Sequence, residues 1–222
     1  MDHTLKAVDE ELSTLRREVS EMGELTVRQV RDAIDAFVRH DIDAAAKIAA
    51  ADEEVDSQDA EIERRAVRFI ALHQPMADDL RAPIAAMKTA MNLERCGDLA
   101  KSIAKRVKSF AQPPSADQVR EVAELGGVVA DRLHDVMVAY RESDFRAAME
   151  VWAEDADIDK MHDKVFSGVL ACMATDPNGV EGCTHVLFIS KNLERIGDHA
   201  TNIAELVCYQ ITGQELSGRP KA

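Results

Sequence analysis

The heptapeptide Asn-Leu-Glu-Arg-Cys-Gly-Asp at residues 92–98 returns as Asn-Leu-Glu-Arg-Ile-Gly-Asp at 192–198. Each copy places a Glu and an Asp four residues apart, Glu94 with Asp98 and Glu194 with Asp198. On a helix such residues stand one above the other. Two like charges there cost roughly 0.2–0.5 kcal/mol. A pair that opposes its own helix, present twice, asks for a compensating cation: an Arg, a Lys or a metal ion. A second acidic pair precedes each copy, Asp52 with Asp56 and Asp155 with Asp159. Four carboxylates per repeat, all oxygen donors, suit hard cations such as Mg, Ca, Mn or ferric iron. The competing reading is that these are solvated outer-face residues, with Arg95 and Arg195 as i+3 partners for Asp98 and Asp198.

The elements that must carry these residues are long helices. Six Pro and ten Gly in 222 residues leave long unbroken stretches, and aromatics are only 4%. Apolar steps of three and four predict helices over about 4–38, 42–72, 77–110, 116–140, 144–174 and 180–211. Asp41 is placed to cap the second helix. Pro75 ends it, and Pro83 falls in the first turns of the third. Gln112-Pro113-Pro114-Ser115 breaks the chain near its midpoint, and Asp176-Pro177-Asn178-Gly179 stops the fifth helix. Helices two and five match 103 residues apart, and helices three and six match 100 apart. This internal repeat predicts an all-α fold: two tandem repeats of an antiparallel three-helix bundle, six long helices in all. The first bundle is expected over 1–112, the second over 115–213, and a frayed tail over 214–222.

Helical phase assigns each copy a place. The apolar seam of helix six runs through Val186, Ile189, Leu193, Ile196, Ala200, Ile203 and Val207, and helix three repeats it. Glu94 and Asp98 fall roughly 145–175° from the centre of that seam, on the outer face. Asp52, Asp56, Asp155 and Asp159 fall at the border of their own apolar stripes. If helices two and three are antiparallel neighbours, the two acidic pairs approach each other.

The bulk composition narrows the partners. A net charge of −14 would be repelled by nucleic acid or anionic lipid, and Lys and Arg form no evident patch. Cys96, Cys172, Cys183 and Cys208 make no CxxC pair, so reduced, mostly buried thiols are expected. The charged start MDHTLKAVDE is unlike a signal peptide, and no apolar run approaches ~18 residues. A cytoplasmic protein that inserts in no membrane is expected.

Pro75-Met76-Ala77-Asp78-Asp79-Leu80-Arg81, the two ERxGD heptapeptides and the acidic segments of helices two and five together resemble the PhoU family, over about residues 4–211. The resemblance implies two three-helix bundles whose acidic motifs bind multinuclear metal clusters, iron above all, with Mg, Mn or Zn as other occupants. Carried over residue by residue, the metal ligands it implies are Asp52, Asp56, Glu94 and Asp98, then Asp155, Asp159, Glu194 and Asp198. The family further implies a non-enzymatic, cytoplasmic negative regulator of the phosphate-starvation response and of phosphate uptake. Such a regulator acts between the ATPase subunit of the phosphate ABC transporter and a sensor histidine kinase, commonly as a homodimer. The sequence departs from the family pattern in lacking a D-L-R segment after Pro177. His199 stands where the first repeat has Leu99, and is an extra ligand, a solvent-facing residue or a packing residue. Arg81 and Arg95 are candidates for partner docking or for structural ion pairs.

Two rival readings have their own requirements. A ferritin-like, carboxylate-bridged metal enzyme needs Glu-x-x-His pairs. The nearest substitutes are Asp159 with His162 and Asp131 with His134. A metal-free structural adaptor needs only solvated acidic faces. Ser102 and Ser190 show no sequence pattern of a nucleophile with His and Asp partners, and no Gly-rich phosphate loop is present.

Overall fold

Local capping chemistry starts the helices where the turn residues stand. In the computed structural model, which describes residues 2–110, 113–176 and 179–216, Asp41 accepts a hydrogen bond from the Ala44 N–H at 2.9 Å and opens α2 (Ile42–His73). Ser115 and Gln118 form a reciprocal capping box that opens α4 (Ala116–Glu142). Asp144 caps α5 (Phe145–Ala153) in the same way as Asp41. Gly213, at φ 72°, ends α7 (Val180–Thr212) in the left-handed conformation that favours glycine. The remaining helices are α1 (Asp2–Arg39), α3 (Asp78–Val107) and α6 (Asp155–Thr175).

The expected fifth helix is therefore broken. Glu154 leaves helical geometry at φ −97° and ψ 10°, separating α5 from α6. Pro83 lies within the second turn of α3 and does not interrupt it. Of the breaks expected from sequence, Gln112 and the Pro177-Asn178 step lie outside the described residues, as does 217–222. Leu216, placed in the expected frayed tail, packs against the core.

The first three helices pack on one another, and α4 to α7 do the same. The bundles meet along two antiparallel seams, α1 on α4 and α3 on α7. The contacts across the first seam are reciprocal. A Cβ at Gly126 would lie 2.7 Å from Ile34 Cδ1, and one at Gly23 would lie 2.8 Å from Met137 Cγ. Gly23 and Gly126 occupy matching places, as do Ile34 and Met137, so the repeats are related by a pseudo-twofold. Two glycines let α1 and α4 approach closely around it.

This arrangement changes the expected environment of α3 and α7. Each is covered by its own bundle on one side and by the other bundle on the opposite side. Leu93, Ile103, Leu193, Ile196 and Ile203 are fully buried, as the seam predicts. Polar residues are buried as well, Thr89 on that seam and Asn92, Ser190, Asn192 and Thr201 off it. A periodicity reading sees only the face toward one bundle. Among the described residues no helix is long and apolar enough to cross a membrane.

Candidate functional site

The ERxGD heptapeptides adopt the same placement in both repeats. In each, Asn, Leu, the fifth residue and Gly are buried, Glu and Asp are partly exposed, and Arg is exposed. The Gly is required by close packing against the preceding acidic helix. A Cβ at Gly97 would meet Asp52 Oδ1 at 3.1 Å and Val55 Cγ1 at 3.3 Å. One at Gly197 would meet Ile158 Cδ1 at 2.8 Å. The motif glycine thus brings α2 onto α3, and α6 onto α7, and so sets the distance between the acidic pairs.

Glu94 and Asp98 do not stand on a free outer face as helical phase suggested. They lie half-buried in the groove that α2 closes, with side chains 20% and 43% exposed. Burial raises the Glu94 carboxyl above its ordinary value, Arg95 opposes this, and Asp98, Asp56 and Asp59 add to it. Asp56 is raised by desolvation and by Asp52, opposed by Lys101. Asp59, absent from the expected set, is raised by burial and by Glu63 and Asp56. The expected carboxylates of the first repeat therefore lie close enough to raise one another, and Asp59 joins them.

Asp52 differs most from expectation. It was placed at a stripe border, yet its side chain is 1% exposed. Its Oδ1 accepts from Gln29 Nε2 at 2.9 Å and its Oδ2 from Lys101 Nζ at 2.7 Å. Lys101 Nζ also lies 3.7 Å from Asp98 Oδ1. The reason is the close α1–α2–α3 packing around Gly97, which encloses a residue that periodicity leaves at an edge. A buried carboxylate needs such partners, because an unpaired one costs several kcal/mol.

The second repeat solves the same problem without Lys. Asp155 is nearly as buried and accepts from the Thr201 hydroxyl at 2.7 Å. It also stands in the first turn of α6, where helix polarity favours a carboxylate. Asp159 is raised above its ordinary value by burial first, then by Asp155, Glu194, Asp198 and Asp163. Glu194 Oε2 lies 2.7 Å from Lys191 Nζ, is closed to solvent and completes no hydrogen bond. As the side chains stand, no three His, Cys, Asp or Glu among the described residues are arranged to hold one metal ion.

The other candidates have structural partners. His199 Nδ1 is 2.9 Å from Asn92 Oδ1, across the α3–α7 seam, so His199 joins the bundles. Arg81 packs against Gly213 at the C-terminal end of α7, where a cation is favoured. Asp131 pairs with Arg31 at 2.9 Å. His162 Nδ1 is 2.8 Å from Ser190 Oγ, a contact that sequence spacing did not reveal. Ser190 is 0% exposed, which closes it to a substrate. All four thiols are free. Burial pushes Cys208 up to about 11 and raises Cys96 further, so neither is a ready nucleophile.

Comparison with known proteins matches this architecture and its repeat. The family model described as PhoU domain matches residues 19–107 and again 122–207. The phosphate-specific transport system accessory protein PhoU homolog of Caulobacter vibrioides is 48% identical, over 99% of this chain and 96% of that protein. The protein of the same description from Zymomonas mobilis is 41% identical, over 99% of this chain and 92% of its own length. Among solved structures, the phosphate transport system regulatory protein PhoU from Streptococcus pneumoniae superposes with TM-score 0.89 at 26% identity, covering 95% of this chain and 100% of that one. PhoU from Pseudomonas aeruginosa gives 0.86 at 30% identity, over 93% and 99%. With two matched PhoU domains spanning its two bundles and relatives of nearly equal length, the chain belongs to the PhoU family.

Proposed function

We propose that this chain is a cytoplasmic negative regulator of phosphate uptake and of the phosphate-starvation response, without catalytic activity of its own. It acts as an adaptor, as a homodimer, between the ATPase subunit of a phosphate ABC transporter and a sensor histidine kinase. The observation that carries this reading is the full-length match of both bundles to relatives described as transport accessory and regulatory proteins. The site chemistry agrees. The two ERxGD heptapeptides gather carboxylates at a helix groove, while Ser190 is closed to solvent and burial raises the Cys96 and Cys208 thiols.

Metal ions belong to this proposal, with Asp155, Asp159, Glu194 and Asp198 as oxygen ligands in the second repeat. Support comes from donor chemistry: mutually repelling carboxylates in a groove, one with a solvent-closed oxygen lacking a hydrogen bond. A hard cation bound there would relieve that repulsion. Iron, Mg, Mn and Zn are the candidates.

Affinity capture from the source cell, using the tagged chain, tests the adaptor role. Recovery of the transporter ATPase and a histidine kinase is expected. Recovery of neither, with the chain folded and at native abundance, would contradict it.

A further inference from the structure

Among the positions at which the two acidic grooves differ, one sets a cation on the buried carboxylate of the first. Lys101 of α3 corresponds to Thr201 of α7, each three residues beyond the motif's Asp. Lys101 Nζ touches carboxylates from both sides of its groove, Asp52 Oδ2 at 2.7 Å and Asp98 Oδ1 at 3.7 Å. Gln29 fills the other oxygen of Asp52. Thr201 offers Asp155 an uncharged hydroxyl in place of an ammonium. The cations near the second repeat are placed differently, and one of them sits on a groove carboxylate. Arg132, which takes in α4 the place of Gln29 in α1, pairs with Glu154, and Lys191 holds Glu194 from a half-exposed position.

An ammonium bridging two carboxylates occupies the place where a hard cation would act. A metal ion entering the first groove would face Lys101 at close range and a like charge. Expelling Lys101 to water would leave Asp52 to the metal alone, with one oxygen already committed to Gln29.

We propose that Lys101 is a built-in cation that closes the first acidic cluster to metal, so that metal binding is confined to the second repeat. This rests on the metal reading of the second repeat given above.

Equilibrium dialysis of the metal-free full-length chain against Mn²⁺, with bound metal counted by elemental analysis, tests it. Glu94→Gln/Asp98→Asn should bind as much Mn²⁺ as the wild type. Glu194→Gln/Asp198→Asn should lose at least about tenfold in affinity. Lys101→Thr should bind additional Mn²⁺, and that gain should vanish when Glu94→Gln/Asp98→Asn is added. A wild type that loses metal through the first-cluster variant, or a Lys101→Thr chain that gains none, would overturn the proposal. A wild type that binds no Mn²⁺ would remove the reading of the second repeat instead, and Lys101→Thr would still decide this one by its gain or lack of it. If Lys101→Thr is unfolded in chelator, refolding with Mn²⁺ is followed by circular dichroism. Recovery of helix supports the proposal, and persistent unfolding at millimolar Mn²⁺ overturns it.

Discussion

A buried carboxylate that a sequence reading places at a helix edge shows how far one side chain depends on its neighbours. Asp52 is held by Gln29 and Lys101 from two other helices. Removing one partner of a buried pair strands the other. Lys101→Met is therefore expected to destabilise the metal-free protein by about 3 kcal/mol, near the low end of such losses because Lys101 is partly exposed. Asp52→Asn, which keeps a polar contact without a stranded charge, should cost less. Urea unfolding of the two variants measures the difference. In the second repeat Asp159 binds its proton more tightly in the folded chain than its ordinary value of 3.8 allows, through burial and then Asp155, Glu194, Asp198 and Asp163. Such a group stabilises the fold below the ordinary value, and that contribution is lost as pH rises through the raised one. Without metal, Asp159→Asn should melt above the wild type at about pH 7, with the gap shrinking toward about pH 4. A gap that is constant with pH would show that Asp159 is not under this strain. Lys101 could have been noticed in the sequence, since it replaces Thr201 within otherwise matching segments. Its contact with Asp52, 49 residues away, could not.

Elements explain why the acidic pairs meet. The seams of α3 and α7, the caps at Asp41 and Ser115, and the repeat itself were legible because they depend on local spacing. The burial of Asn92 was not, because it arises from a second bundle against the same helix. Nor was the break at Glu154, which has no Pro or Gly to announce it. The motif glycines are the element-scale device. Gly97→Ala forces Val55 and Asp52 to yield around a helix contact, and a loss of about 1–3 kcal/mol is expected. Because Asp52 is one of the displaced atoms, the same variant should weaken the Lys101 pair. Thermal melting of Gly97→Ala and Lys101→Met, singly and combined, should give a combined loss smaller than the sum.

At the scale of the molecule, the pseudo-twofold makes two similar bundles into one body with two unlike acidic grooves, one with Lys101 between two carboxylates and one with Thr201 in its place. A regulator needs a surface that partners can read, and the net charge of −14 favours basic protein surfaces over nucleic acid or anionic lipid. The fold and the repeat could be read from the sequence alone. The inequality of the grooves emerged only when α2 was laid on α3 and α6 on α7. The account is tested most directly by a phosphate-starvation promoter fused to a reporter in the source organism, grown in high phosphate, with the gene intact, deleted, and restored. Deletion should switch the reporter on and restoration should silence it. A reporter that stays silent in the deletion strain would contradict the proposed role as a negative regulator.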